Sequence, residues 1–179
     1  MKLIVALGNP GKKYELTRHN AGFLALDFYL EKQPTISCQS KFHATICELH
    51  SDGQKVFFVK PQTFMNDSGK AVREITDFYK VAPNNDILVI HDDSDLAIGT
   101  IREANDSSSA GHRGVQSIID GLGTQQLHRV RIGVESRLSR SDLPTDEFVL
   151  QPFTDQQLQL LKEQVFPAVA DKIESFLHD

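Results

Sequence analysis

Four polar residues have side chains suited to hydrolytic chemistry: Asn9, His19, Asn66 and Asp92. An imidazole titrates near neutral pH, so His19 can accept a proton from water and later return it. A carboxylate such as Asp92 on the other ring nitrogen would hold the correct tautomer, as in Ser-His-Asp sites, but with water as the nucleophile. Asn9 and Asn66 can hold that water or donate hydrogen bonds to an oxyanion. These four residues therefore predict a hydrolase.

Two predicted strands would bring these side chains to one rim of a sheet. Residues 3–7 form an apolar run ended by the turn sequence Gly-Asn-Pro-Gly, and residues 86–90 form a second run followed by His-Asp-Asp. If the two strands are parallel neighbours, the polar residues after them share the carboxyl rim, where open α/β sheets bind ligands. His19 precedes a predicted helix and can reach that rim, while Asn66 lies in the turn before another helix.

The remaining patterns predict an α/β fold whose central sheet is flanked by helices. Helical spacing or capping signals occur at residues 20–32, 68–79, 115–122 and 154–176, and strand-like patterns at 42–49, 55–59, 99–103 and 128–135. Ser68 is the predicted N-cap of its helix, and Thr154 with Gln157 forms a capping-box pattern. Ser51-Asp52-Gly53 predicts a hairpin turn. Because a hairpin joins antiparallel strands, the sheet should be mixed rather than purely parallel.

The totals favour one globular domain over residues 1–179 and leave nucleic-acid binding open. A chain of 179 residues suits one domain better than two, and it can bury a core without staples. The formal net charge is −5, from 19 Lys+Arg and 24 Asp+Glu. Nucleic-acid binders usually carry a basic excess, so this total does not indicate one. It does not exclude one either, because binding depends on a local patch.

The two cysteines, Cys38 and Cys47, are too few to predict a disulfide framework. With His43 and His50 they have a spacing that invites a zinc site. Alternation along a strand would, however, put His50 on the face opposite His43 and Cys47, and there is no CxxC, so zinc is disfavoured. The apolar run at residues 3–7 is too short for a signal peptide or a membrane span, and we expect a reducing cytosol.

Long segments of the sequence resemble the bacterial peptidyl-tRNA hydrolase family. LGNPGKKYELTRHNAGF at residues 7–23 is similar to the first signature of the family, and KPQTFMNDSGKAV at 60–72 to the second. ILVIHDDSDLAIGTIR at 87–102 is similar to a third, which AGHRGVQSII and HRVRIGV follow. The resemblance runs from residue 3 to about residue 150. Several long motifs in the correct order are far more specific than any single one.

The resemblance implies a monomeric, cytoplasmic α/β protein with a twisted, mixed central sheet. It implies hydrolysis of the ester between a peptide and the 3′-terminal ribose of tRNA, which recycles tRNA for translation, without metal or cofactor. His19 falls on the catalytic histidine of the family and Asp92 on its carboxylate partner. The asparagines that position substrate and water fall on Asn9 and Asn66. Positions that line the peptide-binding groove fall on Tyr14, Phe64 and Met65.

The tRNA side of such an enzyme should use Lys or Arg against phosphates. Arg131 matches a family arginine that grips the terminal phosphate, and Arg102 is a second candidate. Further basic candidates are Lys12, Lys13, Arg113 and Arg129.

The chain departs from the family in its Gly-His-Asn-Gly loop, which reads Gly-His-Arg-Gly here and places Arg113 where the family has asparagine. That asparagine contacts the peptide and the acceptor end. An arginine has five donors and no acceptor, so it cannot copy an amide, but it can reach a phosphate or the terminal adenosine. Ala104 also stands near the position of a phosphate-binding lysine. With the net charge of −5, these departures predict an active hydrolase with weaker, salt-sensitive tRNA binding.

Two alternatives remain. The first is a non-catalytic RNA- or protein-binding paralogue on the same scaffold, which would be expected to expose an apolar patch and to lose polar site residues. The second is a hydrolase of generic esters, which would turn over a simple ester and not peptidyl-tRNA. Retention of Asn9, His19, Asn66 and Asp92 argues against the first.

Overall fold

The computed structural model describes residues 1–33, 36–51 and 53–178, and its strands form one mixed sheet. The strands are β1 (Lys2–Ala6), β2 (Ser37–Lys41), β3 (Ala44–Ser51), β4 (Gln54–Pro61), β5 (Ile87–Ala97), β6 (Ile101–Ala104) and β7 (His128–Glu135). Their order is β2-β3-β4-β1-β5-β7-β6. β4, β1, β5 and β7 are parallel, whereas β3 pairs antiparallel with β2 and β4, and β6 with β7. The predicted mixed sheet is confirmed.

Helices cover both faces of this sheet. They are α1 (Ala21–Leu30), α2 (Ser68–Tyr79), α3 (Pro83–Asp86), α4 (Arg113–Leu122), α5 (Thr145–Phe148), α6 (Asp155–Leu160) and α7 (Phe166–His178), with a π-helical turn (Leu161–Val165) between the last two. α1 and α7 pack on one face, and α2 and α4 on the other. The predicted capping box of Thr154 and Gln157 starts α6. Within the described ranges, no helix combines the length and apolar character needed to cross a bilayer.

The apolar run in β1 is continuous because both faces of the strand are buried. Ile4 points to the face covered by α1 and α7, and Leu3 and Val5 point to the face covered by α2 and α4. All three side chains are fully buried. A strand between two helical layers needs apolar residues on both sides, which explains the lack of alternation.

Three local predictions needed correction. The acidic cluster does not follow the strand at 86–90 but lies within β5, which runs to Ala97 with an irregularity in its pairing after Asp93. Ser68 is not the N-cap of α2, because its hydroxyl donates to the carbonyl of Met65, inside a preceding 3-10 turn, and Asp67 takes the cap position. Ser68 is therefore the first residue of the helix rather than its N-cap, and its hydroxyl bonds to the preceding turn instead.

The strand predicted at 42–49 begins at Ala44, because Phe42 and His43 both have φ of 53° and form a turn. This turn joins β3 to β2, a strand that the sequence pattern did not predict. β3 and β4 form the predicted hairpin, although Asp52 of its predicted turn lies outside the described residues.

Cys38 and Cys47 form a disulfide, although two cysteines were too few to predict a disulfide framework. They lie directly opposite each other in the β2–β3 pair, with Cα atoms 4.0 Å apart. The same pairing removes both sulfur atoms from any zinc site with His43 and His50. Because β2 was not predicted, the cross-strand position of Cys38 was not foreseen.

Two glycines allow helices to approach the strands that carry the polar residues. A Cβ on Gly22, in the first turn of α1, would lie 2.5 Å from the carbonyl oxygen of Ile90 in β5. A Cβ on Gly114, in the first turn of α4, would collide with Met65. The starts of α1 and α4 can therefore converge on the carboxyl end of the sheet.

Candidate active site

The predicted rim exists, because β1 and β5 are parallel neighbours with Ala6 opposite Ile90. Asn9 follows β1, and Asp92 lies two residues beyond Ile90. His19 belongs to a 3-10 turn (Arg18–Asn20) directly before α1, and its backbone N–H donates to the carbonyl of Val149 at 2.8 Å. The end of the α5 region thus fixes the turn that carries His19.

His19 and Asp92 form a buried hydrogen-bonded pair. His19 Nδ1 lies 2.9 Å from Asp92 Oδ1, and the side chains are 12% and 2% exposed. Because a carboxylate only accepts, Nδ1 carries the proton and the lone pair of the neutral ring lies on Nε2. Nε2 makes no hydrogen bond to any residue within the described ranges, and the ring lines a cleft. This tautomer is the one a general base requires.

His112 is a third member of this cluster, and the sequence reasoning did not assign it a role. Its Nε2 lies 2.8 Å from the same Oδ1 of Asp92. Its Nδ1 accepts the backbone N–H of Val115 at 3.2 Å and so caps α4. Since Nδ1 accepts, Nε2 must carry the proton that goes to Asp92. Both nitrogens of His112 are engaged, so His112 positions Asp92 and is not itself a free base.

The signal for His112 in the sequence was weak. Searches for N-caps favour Ser, Thr, Asp and Asn, and histidine is not among them. Its contact with Asp92 spans 20 residues of chain and depends on how α4 packs against β5.

The electrostatics of the cluster follow from burial and pairing. Burial alone would raise the pKa of Asp92, but attraction and hydrogen bonds to His19 and His112 lower this pKa below its usual value. For His19, burial alone would lower the pKa, but Asp92 outweighs it, and the His19 pKa lies above 6.5. The positive charge of Arg113 opposes that rise. Asp92 therefore stays ionised wherever His19 titrates.

A second histidine supports the main chain beneath Asp92. Nδ1 of His91 donates to the carbonyl of Asp92 at 2.7 Å, and the ring is only 2% exposed. Burial, with repulsion from His112, lowers the His91 pKa well below 6.5, so this ring is neutral in the folded protein.

The two predicted asparagines differ in how firmly they are held. Asn9 is 7% exposed, and its Oδ1 accepts the backbone N–H of Met65 at 2.8 Å. Its Nδ2 is therefore the group left to donate into the cleft. The side chain of Asn20 bonds both the N–H and the carbonyl of Asn9, a supporting role that the sequence did not reveal. Asn66 is exposed, lines the cleft and makes no side-chain hydrogen bond within residues 1–33, 36–51 and 53–178.

These residues surround a cleft of about 490 Å³. Its apolar wall includes the predicted Tyr14, Phe64 and Met65, together with Leu150. The rings of Tyr14 and Phe64 meet edge to face with centroids 6.5 Å apart, and Phe64 is 57% exposed. Large exposed apolar side chains beside a polar centre suit a ligand with an apolar part.

The chain matches the family model described as peptidyl-tRNA hydrolase over residues 3–179. It belongs to the peptidyl-tRNA hydrolase family. A relative of that name from Mycoplasma mycoides is 48% identical over 183 residues, covering 100% of this chain and 92% of the relative. One from Lactobacillus gasseri is 45% identical, covering 99% and 93%. The crystal structure of peptidyl-tRNA hydrolase from Acinetobacter baumannii superposes with a TM-score of 0.88 at 30% identity, covering 99% of this chain and 89% of that one.

The predicted membership of the peptidyl-tRNA hydrolase family, and with it the class of enzyme, is confirmed by these matches.

The basic residues predicted to face tRNA fall into two groups. Arg131 and Arg102 lie opposite each other in the β6–β7 pair, and both reach the surface, with Arg131 also bonded to Asp93 through Nε at 2.5 Å. Arg129 is only 3% exposed and donates to the carbonyls of the loop before α4, at Ser107 and Ser108. It holds that loop and is not free for a phosphate. Lys12 and Lys13 are exposed and directly precede Tyr14, and the ammonium of Lys13 lies 4.7 Å from the centroid of the Tyr14 ring.

One group of residues has the arrangement of a metal site. Ligand atoms of His19, Asp92 and His112 all lie within 4.8 Å of one another. Both nitrogens of His112 are engaged in hydrogen bonds, one to Asp92 and one to the N–H of Val115. The cluster is therefore organised as a hydrogen-bonded relay around one carboxylate rather than as ligands turned toward an ion.

Proposed function

We propose that this protein hydrolyses the ester that joins a peptide to the 3′-terminal ribose of tRNA, with His19 as the general base. The observation that carries the proposal is the 2.9 Å bond from Nδ1 of His19 to buried Asp92, which leaves Nε2 free on a ring that lines the cleft. A neutral imidazole in this tautomer can take a proton from a water molecule.

The proposed reaction proceeds by attack of water on the ester carbonyl. His19 takes one proton from the water while the new C–O bond forms, and Asp92 stabilises the resulting imidazolium. When the tetrahedral intermediate collapses, the bond to the ribose oxygen breaks, and the imidazolium returns the proton to that oxygen. The products are a peptide with a free carboxyl group and tRNA with a free terminal hydroxyl. No net proton remains on the protein before the product acid ionises.

The asparagines and the apolar wall supply the contacts to the peptide. Asn9, whose Oδ1 is held by Met65, presents its Nδ2 as a fixed donor, and the unpaired amide of Asn66 can both donate and accept. These amides suit a peptide main chain, which free aminoacyl-tRNA lacks. The wall of Tyr14, Phe64 and Met65 suits peptide side chains.

Arg131 and Arg102 are the proposed contacts to tRNA phosphates, because they lie side by side on one surface of β6 and β7. The bond of Arg131 to Asp93 and the net charge of −5 support weak, salt-sensitive binding.

We also propose that residues 1–179 act as one domain, as a monomer in the cytoplasm, in keeping with a role in translation. In a reducing cytosol this disulfide, whose Cys38 is exposed and whose Cys47 is buried, would be expected to open. Cys38 and Cys47 lie on β2 and β3, which β4 separates from β1 and the cleft, so the proposed mechanism does not depend on their oxidation state.

The test is a parallel hydrolysis assay on N-acetylaminoacyl-tRNA and free aminoacyl-tRNA at two salt concentrations. We expect rapid release from the first substrate, little from the second and a loss of activity at the higher salt. His19→Ala should lower kcat by about 10³-fold. A His19→Ala protein that matched the wild-type rate, with an unchanged fold by circular dichroism, would contradict the mechanism. Cleavage of a simple ester alone would favour the generic hydrolase.

A further inference from the structure

The charge around the cleft is unusual for a site that must admit a polyanion. Four aspartates line it, Asp92, Asp93, Asp95 and Asp146. Among its described lining residues, Arg113 is the sole lysine or arginine. A cleft lined by carboxylates repels phosphates, so this single cation has a disproportionate effect on anion binding there.

Arg113 has no partner within the protein that would neutralise it. Its side chain is exposed and makes no hydrogen bond or ion pair with the residues that the structure describes. In contrast, Arg131 is bonded to Asp93 and Arg140 to Asp95. Five guanidinium donors are therefore available at Arg113 for a ligand.

The position of Arg113 connects two cavities. It is the first residue of α4 and lines both the main cleft and a neighbouring cavity of about 330 Å³, which is also lined by Asn66 and Ser109. Its charge is close enough to His19 to oppose the rise in the pKa of that ring. Arg113 therefore lies near His19 and can hold a group in the neighbouring cavity.

We propose that Arg113 binds the phosphate that links the terminal nucleoside of tRNA to the preceding nucleotide. The inference rests on the proposed ester hydrolysis, which places the terminal ribose at His19. The anion nearest to that ester in the substrate is the phosphate on the 5′ oxygen of the same nucleoside. A guanidinium matches phosphate oxygens with two parallel hydrogen bonds, which an asparagine at this position cannot supply.

This contact would offset the missing charge elsewhere. Ala104 occupies the position near which the family resemblance places a phosphate-binding lysine, and it lies opposite the buried Arg129 in the β6–β7 pair. The chain thus carries a cation close to the ester where the family has a neutral amide, and a neutral residue farther out where the family has a cation.

The test compares two small substrates that differ by one phosphate. N-acetylaminoacyl-adenosine has no phosphate, whereas N-acetylaminoacyl-CpA has the single phosphodiester before the terminal adenosine. At a pH above the range in which His19 titrates, Arg113→Gln should lower kcat/KM for the CpA ester by about 10-fold or more and leave kcat/KM for the adenosine ester within about twofold of wild type. Arg113→Lys should restore part of the loss, because it keeps the charge but not the paired donors.

Lys162→Gln is the matched control, because it removes the same charge from an exposed site in the π-helical turn. Lys162→Gln should leave kcat/KM unchanged for both esters. Equal losses on both esters in Arg113→Gln would overturn the inference, since they would indicate action on the oxyanion or on His19. An unchanged kcat/KM for the CpA ester in Arg113→Gln would overturn the inference as well, since Arg113 would then be a solvated charge.

Direct binding separates this inference from the proposed function. Calorimetry with unacylated CpA and with adenosine should show an Arg113-dependent loss of affinity for CpA alone. If the wild-type protein failed to cleave N-acetylaminoacyl-tRNA, the proposed function would be contradicted, but the CpA measurement would still decide the role of Arg113. Equal CpA binding by wild type and Arg113→Gln would refute it.

Discussion

The buried cluster of His19, Asp92 and His112 contrasts with two arginines nearer the surface. Arg113 is exposed, and the side chain of Arg131 is 23% exposed. In the cluster, one carboxylate oxygen accepts two hydrogen bonds of 2.9 and 2.8 Å, and the bonding sets the tautomer of each ring. Nearer the surface, Arg113 has no hydrogen-bond or ion-pair partner among the described residues, and Arg131 has one ion pair through Nε. Under the proposed function, the chemical step therefore depends on geometry in the first region, while attraction of the substrate depends on charge in the second.

This difference has a physical basis. Interactions between charges are strong where water is excluded, so a small displacement within the cluster should change the rate steeply. Exposed charges are screened by salt over about 8–10 Å, so their contributions are small, roughly additive and dependent on ionic strength. Variants in the two regions should consequently separate into effects on kcat and effects on salt-dependent affinity.

Asp92→Asn should produce the largest effect in this comparison after loss of His19 itself. The amide has about the same shape and its oxygen can still accept hydrogen bonds, but it carries no negative charge and therefore does not stabilise an imidazolium. We expect kcat to fall by about 10²–10⁴-fold while KM changes little. Single-turnover hydrolysis of N-acetylaminoacyl-tRNA measures this directly. A mainly KM effect would show that Asp92 contacts substrate instead of orienting His19.

His112 allows its two contacts to be separated. His112→Ala removes both the cap of α4 and the bond to Asp92, whereas His112→Asn keeps a side chain that can accept the N–H of Val115. Both should lower kcat by about 10-fold, from misplacement of Asp92 by the lost hydrogen bond. Only the alanine variant should also lower the thermal midpoint, by about 2–4 °C for a cap worth about 1 kcal/mol.

A result in which His112→Asn restores kcat would show that only the helix cap matters. Removal of the acid limb from the pH profile by either variant would show instead that His112 is the base.

The pH dependence of kcat/KM provides a third test. His19 must be neutral to act as base, and Asp92 raises its pKa above 6.5 while Arg113 opposes that rise. Activity should therefore fall as pH drops through a value above 6.5, by about tenfold per pH unit below it. Arg113→Gln should move this fall in activity to higher pH, because the charge that opposes protonation of His19 is gone. Lys162→Gln should leave its position unchanged. If kcat/KM of the wild-type protein fell only below pH 6, the stated environment of His19 would be contradicted.

The smallest expected effects distinguish two arginines on the same strand. Arg131→Gln should raise KM several-fold and reduce the salt slope of binding by about one, as for loss of one phosphate contact. Arg129→Gln should leave that slope unchanged and lower the thermal midpoint by several degrees, because buried bonds to the carbonyls of Ser107 and Ser108 are lost. The measurement is filter binding over a salt series beside a thermal melt.

If Arg129→Gln changed the salt slope as strongly as Arg131→Gln, burial would not be a sound guide to which arginine meets tRNA. The comparison between the buried and exposed regions would then need revision.

Much of the site could be predicted because its elements are local in the sequence. The apolar runs of β1 and β5 specify buried strands, and the turn after the first places Asn9 at the rim. The family motifs then identified His19 and Asp92, although their contact spans 73 residues. The roles of His112 and Asn20 escaped prediction because each depends on a contact between segments that the sequence pattern treats separately.

The sequence by itself determined the family, the mixed sheet and the residue types at the cleft, because periodicity, turn residues and long motifs are properties of neighbouring positions. Only the tertiary structure decided which donor bonds to which acceptor, and with it the tautomer of each histidine. It placed two histidines on one oxygen of Asp92, buried Arg129, left Arg113 without a partner among the described residues, and set Cys38 opposite Cys47. Those outcomes depend on strand register and helix packing, which convert distant positions into contacts of about 3 Å with a defined donor and acceptor.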